Sequence, residues 1–214
     1  VLEMYKSDYE WNTNTNNTNN TNTNTNTNTN VTSIITQPQK YIRIIIKCYI
    51  NECPLTCENF MGLITNKYGK SKSSSNIQLH YKNCIFHRLI TKYIIQGGDI
   101  IMQNGSGGES IWNKKFKDEK NGLKFKHNKR GLVCMCNNGK NSNSSQFFIT
   151  LAEKCPQLDG KHVVFGEIVH GIEVLDLMEE VGTVSGSDGT PEQSICIYNC
   201  GLWKMGDAKQ GYYN

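Results

Sequence analysis

The segment at residues 86–99, with the sequence FHRLITKYIIQGGD, places one arginine and one glutamine within an apolar run. In an extended chain alternate residues share a face, which here would carry Arg88, Ile90, Lys92, Ile94 and Gln96. A surface of this composition can hold an apolar group and direct a hydrogen bond at the same time, as ligand pockets do. The glycine pair that follows allows a sharp turn or a close backbone approach to a ligand.

Two other patterns resemble chemical sites more weakly. Gly69-Lys70-Ser71 is similar to the end of a phosphate-binding loop, but Ile64 stands where that motif needs glycine, so a surface loop is expected. Three cysteine pairs have the spacing of metal ligands: Cys53/Cys57, Cys134/Cys136 and Cys196/Cys200. Because they fall on a predicted helix and on predicted strands rather than in knuckle loops, we expect no metal and no cofactor.

Short strands dominate the predicted secondary structure. The Ile- and Tyr-rich run at residues 41–49 predicts a first strand, and others are predicted at 84–89, 93–96, 131–136, 146–150, 162–168 and 194–198. Pro54 and the helical spacing of Cys57, Phe60, Met61 and Ile64 predict one amphipathic helix, and residues 172–180 predict a second. Many short strands with two helices favour a mainly β fold, a closed barrel with helical caps.

The length of 214 residues suits one domain of about 150–180 residues with tails. Residues 12–30 consist only of Asn and Thr and have nothing apolar to bury, so we expect 1–31 to be a disordered segment. The folded domain is predicted at 32–201 and a tail at 202–214. Within the domain, the polar stretch between Asn66 and Asn76 predicts an inserted surface loop.

Charge and composition restrict the class of protein. A net charge of +4 implies no nucleic-acid role by itself, and no run approaches the roughly 20 apolar residues of a membrane helix. Nine cysteines, an odd number, without a visible signal peptide indicate free thiols in a reducing compartment, the cytoplasm or nucleus. We expect a soluble monomer. Eight Lys or Arg lie between Lys114 and Arg130; a solvated face is the expected role, and an acidic partner or an RNA backbone is the alternative.

Several motifs occur together in a fixed order. FHRLITKYIIQGGD, NGSGGESIW, NSNSSQFFIT and LDGKHVVFG follow one another and are preceded by CPLTCENF. From about residue 32 to residue 200 the chain therefore resembles the cyclophilin family of peptidyl-prolyl isomerases, most of all its compact, often nuclear members. The resemblance implies a closed eight-stranded antiparallel barrel capped by two helices. It also implies isomerisation of X-Pro bonds in protein substrates.

The resemblance further implies roles for individual residues. Arg88 is the expected catalytic hydrogen-bond donor, and Gln96 is expected to fix its guanidinium or the substrate carbonyl. Tyr93, Ile94, Phe148 and Leu158 are expected to line the proline pocket, with His162 at the rim. Asn137 would hold the substrate through its main chain, and the remaining substrate-binding positions are Cys136, Asn138, Gln146 and Gln157. Without the motifs, Phe148 and Ile94 would be taken for core residues.

The chain departs from the family pattern at the pocket. Tyr93 and Ile94 replace the usual Phe and Met, Cys136 and Asn138 replace two alanines, and Gln157 replaces the Trp that assists cyclosporin binding. We expect activity to survive and cyclosporin binding to be weak. The alternative function is a binding module with little or no turnover. It would recognise proline-containing segments within a larger assembly, for example one that processes RNA in the nucleus.

Overall fold

The computed structural model describes residues 2–5, 43–74 and 76–203. Their strands are β1 (Leu2–Tyr5), β2 (Arg43–Cys48), β3 (Cys84–Ile85), β4 (Arg88–Ile90), β5 (Ile94–Gly97), β6 (Leu132–Met135), β7 (Phe147–Thr150), β8 (Val164–His170), β9 (Cys196–Ile197) and β10 (Gly201–Leu202). The helices are α1 (Pro54–Thr65), α2 (Lys120–Lys124) and α3 (Val174–Glu180), with a 3₁₀ turn at Pro156–Leu158. The predicted mainly β fold is confirmed.

Eight strands form one antiparallel sheet in the order β10-β1-β2-β8-β6-β7-β5-β4. Strands β3 and β9 pair separately. Within the described part of the chain, hydrogen-bonded pairing continues without a break from β10 to β4. That β10 and β4 also meet to close the sheet into a barrel stays an expectation from the resemblance. No helix in that part is long and apolar enough to cross a membrane.

The inner face of the sheet packs on an aromatic centre provided by α1. The Phe60 ring lies 5.0 Å from that of Phe165 and 5.4 Å from those of Tyr81 and Phe147, measured between centroids. All four side chains are buried. Because neighbouring strand residues point to opposite faces, Phe147 enters this inner core while Phe148 points to the outer face.

The ends of the chain differ from the sequence-based prediction. Residues 1–31 were expected to be disordered, whereas Leu2–Tyr5 forms strand β1 between β2 and β10. Antiparallel pairing satisfies the backbone groups that the edges of β2 and β10 would otherwise present, which composition alone does not reveal. The Asn/Thr tract at residues 12–30 lies outside the described residues. Leu202, predicted to belong to the tail, lies in β10.

The segment at residues 86–99 also differs from a continuous ribbon. It forms a β4–β5 hairpin in which Lys92 adopts a left-handed conformation, with φ 58°, in the turn. Lys92 therefore does not share the face of Arg88 and Gln96, because the turn interrupts the alternation. The strand predicted at residues 84–89 is divided into β3 and β4. Gly98 has φ 83°, and a Cβ there would lie 2.6 Å from the Ser145 carbonyl oxygen, so it permits close approach of two backbones.

The inserted loop is anchored on a buried carboxylate. Ser71 donates its hydroxyl to Glu109 Oε2 at 2.6 Å, and the Ser73 hydroxyl donates to the same oxygen. Burial raises the pKa of Glu109, but these bonds and backbone N–H groups of the loop outweigh it and hold the pKa below its usual range. The predicted surface loop is therefore fixed to the segment that follows β5.

One carboxylate organises the loop after β5. Asp99 is fully buried and accepts five backbone N–H groups, from Ile101 (3.2 Å), Met102 (2.9 Å), Asn104 (3.3 Å), Gly105 (2.8 Å) and Gly107 (3.0 Å). Burial raises the pKa of Asp99, but the backbone hydrogen bonds have the larger combined effect and lower it. The loop conformation therefore depends on an ionised group.

Replacing Asp99 with asparagine is expected to lower the free energy of unfolding by about 2–4 kcal/mol, because the amide NH₂ would face N–H groups that need an acceptor. Urea unfolding measures the change. Asp176→Asn is the control: its ion pair with Arg130 has a carboxylate that is 68% exposed, so about 1 kcal/mol or less should be lost. Equal losses in the two variants would contradict the role given to Asp99.

Candidate active site

The sheet register places three predicted site residues in one row. Arg88 on β4 lies directly opposite Gln96 on β5, and Gln96 lies directly opposite Phe148 on β7. Directly opposed residues of antiparallel strands project from the same face. The guanidinium, the amide and the aromatic ring are therefore neighbours across three strands.

An apolar cluster covers the outer face of the sheet beside this row. We call it the outer-face cluster; its buried members are Ile94, Leu132, Cys134, Phe148, Cys155, Leu158 and Val164. Partly buried residues pack against it: Tyr49, Ile90, Tyr93, Phe125, Cys136 and Ala152. The structure thus brings together Tyr93, Ile94, Phe148 and Leu158, the four residues predicted to line the pocket, away from the inner core.

Arg88 is held by a loop that is distant in sequence. Its Nε donates to the Asp188 carbonyl oxygen at 3.1 Å, and its NH2 group donates to Asp188 Oδ1 at 3.3 Å. The backbone is fixed as well, since the Leu89 N–H donates to the Gly189 carbonyl at 2.7 Å. The Arg88 side chain remains 35% exposed. A guanidinium carries five N–H donors, so these two bonds leave capacity for a ligand.

Gln96 belongs to a hydrogen-bonded network with a second glutamine. Its Nε2 donates to Gln146 Oε1 at 3.0 Å. Gln146 in turn donates to the carbonyl oxygens of Gly105 at 2.9 Å and Gly107 at 2.7 Å, in the loop that Asp99 organises. The hydrogen bonds of the Arg88 guanidinium go to Asp188 and that of Gln96 goes to Gln146, so the expected role of Gln96 toward the guanidinium or the substrate carbonyl stays a prediction.

Two histidines contact the Phe148 ring. The His162 ring meets it edge-on at 5.3 Å between centroids and donates from Nδ1 to the Met135 carbonyl at 3.0 Å. The His127 ring lies nearly parallel to it, at 6.2 Å and 19°. Burial lowers the pKa of both imidazoles, so both are neutral near pH 7.

Hydrogen bonds hold the two asparagines that were predicted to bind the substrate. Asn137 donates from Nδ2 to the Lys161 carbonyl at 2.8 Å, and the Asn138 N–H donates to Ser142 Oγ at 2.9 Å. Burial raises the pKa of the Cys136 thiol, which therefore stays protonated. Gln157 is exposed on the 3₁₀ turn next to Leu158.

Sequence analysis missed three residues at this site. They are Asp188, His127 and Asp159. Asp188 and His127 lie outside the quoted motifs, and no sequence pattern marks His127 and Asp159 as partners. Only Asp159, inside LDGKHVVFG, offered a signal, and its contact with His127 spans 32 positions. Among residues 2–5, 43–74 and 76–203, no group of three His, Cys, Asp or Glu is arranged to hold a metal. All nine cysteines lie in these ranges and are thiols rather than disulfides.

Known proteins show the family of this chain. Residues 31–202 match the family model described as cyclophilin type peptidyl-prolyl cis-trans isomerase/CLD. The chain belongs to this family. Peptidyl-prolyl cis-trans isomerase 9 of Caenorhabditis elegans is 45% identical over 159 residues, which are 74% of this chain and 50% of that protein. The chain therefore spans about half the length of this curated cyclophilin relative.

Solved cyclophilin structures resemble about three quarters of this chain. A crystal structure of a cyclophilin type peptidyl-prolyl cis-trans isomerase from Cryptosporidium parvum, in the presence of the dipeptide Ala-Pro, is 33% identical with a TM-score of 0.64. The similarity covers 76% of this chain and 94% of that one. Another structure of that protein gives a TM-score of 0.65 at 33% identity and covers 76% and 92% of the two chains.

Stability of this cyclophilin domain should depend on pH in two windows. Burial lowers the pKa of four histidines, His80, His87, His127 and His162. Since the unfolded chain takes up these protons near pH 6.5 and the folded chain only at lower pH, the free energy of unfolding should fall below about pH 6.5, by at most about 1.4 kcal/mol per pH unit for each group.

The second window involves carboxylates whose pKa is lowered on folding: Asp99, Glu109, Asp159 and Glu167. Their stabilisation is complete above about pH 5 and is lost as the pH falls through their folded values, which is about 2 for Asp159. Urea unfolding between pH 8 and 3 should show a plateau at high pH, a decline below about 6.5 from the histidines and a further decline below about 4 from the carboxylates. Constant stability from pH 7 to 5 would contradict the assignment of neutral, buried histidines.

Proposed function

We propose that this domain isomerises X-Pro peptide bonds in protein substrates. The observation that carries the proposal is the row of Arg88, Gln96 and Phe148 beside the outer-face cluster. It combines a charged donor with an apolar surface that suits a proline ring. The reaction needs no cofactor or nucleophile, since no covalent bond is broken.

The chemical problem is rotation about an amide. Resonance gives the C–N bond partial double-bond character and a barrier of about 18–20 kcal/mol. When the bond twists, the nitrogen lone pair leaves conjugation and becomes a hydrogen-bond acceptor. A catalyst that binds the twisted amide better than either planar isomer lowers the barrier.

Arg88 is the donor for the twisted amide in this proposal. Its guanidinium is always charged and has a planar array of donors, whereas a lysine would offer a mobile point charge. The bonds to Asp188 fix the side chain before substrate arrives, which reduces the reorganisation that binding requires. Gln96 and Gln146 hold the neighbouring surface in place and can bind the substrate backbone.

The outer-face cluster supplies the proline pocket in this proposal. Phe148 is only 2% exposed and forms its floor, with Ile94, Leu158 and partly exposed Tyr93 around it. His162 lies against the edge of that floor. The Ala-Pro dipeptide named with the Cryptosporidium structure supports short proline-containing segments as the substrate class.

A protease-coupled isomerisation assay on a short Ala-Pro peptide tests the function. Wild type should accelerate the cis-to-trans step in proportion to enzyme concentration. Peptide binding without acceleration would instead favour the alternative, a module that recognises proline-containing segments without turnover.

The basic stretch between Lys114 and Arg130 forms part of a hollow that shares four lining residues with the outer-face cluster and the partly buried residues packed against it. A cavity of about 440 Å³ is lined by Tyr49, Lys124, Phe125, Lys126, Asn128, Lys129, Leu132 and Val164. Lys126 pairs with Asp159, and Lys129 pairs with Glu167. These pairs favour a solvated face, so an acidic partner stays a prediction. The thiol state of the cysteines supports a reducing compartment, cytoplasmic or nuclear.

A further inference from the structure

The floor of the proposed pocket rests on a buried imidazole. His127 is 2% exposed, and its ring lies nearly parallel to that of Phe148. On another side of Phe148, the His162 ring makes its edge contact. The Phe148 ring is therefore in contact with two imidazoles, of which His127 is the more deeply buried.

A single carboxylate fixes His127. Asp159 Oδ1 accepts the His127 backbone N–H at 2.9 Å and the ring Nδ1–H at 3.0 Å. The His127 carbonyl in turn accepts the Cys155 N–H at 2.7 Å. His127 is thus tied to both ends of the segment at residues 155–159, which carries Leu158 into the pocket.

The protonation state of the pair follows from its surroundings. Hydrogen bonds from the His127 backbone and ring lower the pKa of Asp159 to about 2, and burial lowers the pKa of His127. The histidine is therefore neutral, with its proton on Nδ1. Its Nε2 is buried and has no hydrogen-bond partner among the described residues.

We propose that His127 and Asp159 are positioning residues for isomerisation, which together set the Phe148 ring and the Leu158 side chain at the distance a proline ring requires. Neither residue touches the substrate. Histidine combines a flat ring beneath Phe148 with a ring donor to Asp159, whereas phenylalanine lacks the donor and asparagine lacks the ring. This inference rests on the proposed function, because it assumes that the outer-face cluster binds proline.

The expected signature is a change in substrate binding rather than in the chemical step. The pocket holds the proline ring in the ground state and in the twisted state alike, so a displaced floor removes binding from both. His127→Asn and Asp159→Ala should each raise KM and the Kd for an Ala-Pro peptide about tenfold while kcat changes by less than about twofold. Asp159→Asn keeps an acceptor oxygen and should restore most of the affinity.

Two controls separate positioning from stability. Lys126→Gln removes a partner from the other oxygen of the same carboxylate, where Nζ lies 3.3 Å from Oδ2 and the lysine is 68% exposed. His80→Gln removes a half-buried histidine that donates to the Ile64 carbonyl, outside the outer-face cluster. Both should keep the wild-type KM, even if His80→Gln lowers the melting temperature.

The experiment measures KM, kcat, peptide Kd by calorimetric titration and melting temperature for all variants of the full chain. A raised KM and Kd in His127→Asn and Asp159→Ala, with both controls unchanged, supports the proposal. A wild-type Kd in His127→Asn and Asp159→Ala would overturn it. An equal rise in Kd for these variants and for His80→Gln would also overturn it, because loss of stability would then explain the effect. If His127→Asn does not fold, His127→Phe is measured in its place, and its KM and Kd are judged in the same way. Because Kd needs no turnover, an inactive wild type would refute the proposed function without hiding this result.

Discussion

Replacing Arg88 with alanine is expected to lower kcat/KM for an Ala-Pro peptide by about 10²–10³, the usual scale for losing one donor to a developing charge. The loss should fall mainly on kcat, because the donor is needed most when the amide is twisted. Folding should change little, since Arg88 is partly exposed and its pair with Asp188 involves a carboxylate that is 95% exposed.

The matched control for Arg88→Ala is Lys92→Gln, which removes a positive charge from the exposed turn of the same hairpin. Its activity should stay within about twofold of wild type, because Lys92 does not share the Arg88 face. Arg88→Lys should remain much weaker than wild type, since an ammonium does not reproduce the planar donor array. An Arg88→Ala protein with most of its activity would refute the catalytic assignment.

Cyclosporin should bind this domain poorly, about 10–100-fold more weakly than it binds relatives with Trp at the Gln157 position. An exposed glutamine can donate from its amide but lacks the broad apolar ring, and large aromatic anchors contribute about 2 kcal/mol or more. Cys136 and Asn138 add polarity to the adjoining groove. Gln157→Trp should recover part of the affinity with little change in kcat.

Calorimetric titration of the wild-type and Gln157→Trp proteins measures this difference. The 3₁₀ turn already presents position 157 beside Leu158, so the larger side chain needs no change in the backbone. Tight binding by the wild type, or no gain in the variant, would show that position 157 does not control cyclosporin binding.

The sequence predicted the strands that carry the site because their periodicity is local. β2, β5, β6 and β7 appear within a few residues of their predicted positions. Separate strands at 84–89 and 93–96 were predicted, but the tight turn that joins them was not, because Thr91-Lys92-Tyr93 lacks the glycine or Asn-Gly signal of a tight hairpin. The positive φ of a non-glycine residue such as Lys92 is visible only in the folded chain.

The partners of the site residues could not be predicted for a different reason. Asp188 lies 100 positions from Arg88, and a single aspartate in an exposed loop carries no pattern that selects one cation. Periodicity likewise treats Phe148 and Phe147 as equals in a buried strand, and only the family resemblance assigned Phe148 to the pocket. Only the pairing of β7 with β5 and β6 shows that Phe148 faces the outer cluster and Phe147 the inner core.

We expect the face bearing Arg88, Gln96 and Phe148 to catalyse cis–trans isomerisation of X-Pro bonds. Exchange NMR on an isotopically labelled Ala-Pro peptide, with substoichiometric protein, tests it most directly, because uncatalysed isomerisation takes tens to hundreds of seconds. We predict cis–trans exchange cross-peaks within a mixing time of about one second with wild type, and their loss with Arg88→Ala. Peptide binding to wild type without exchange cross-peaks would contradict the claim and leave a proline-binding module in its place.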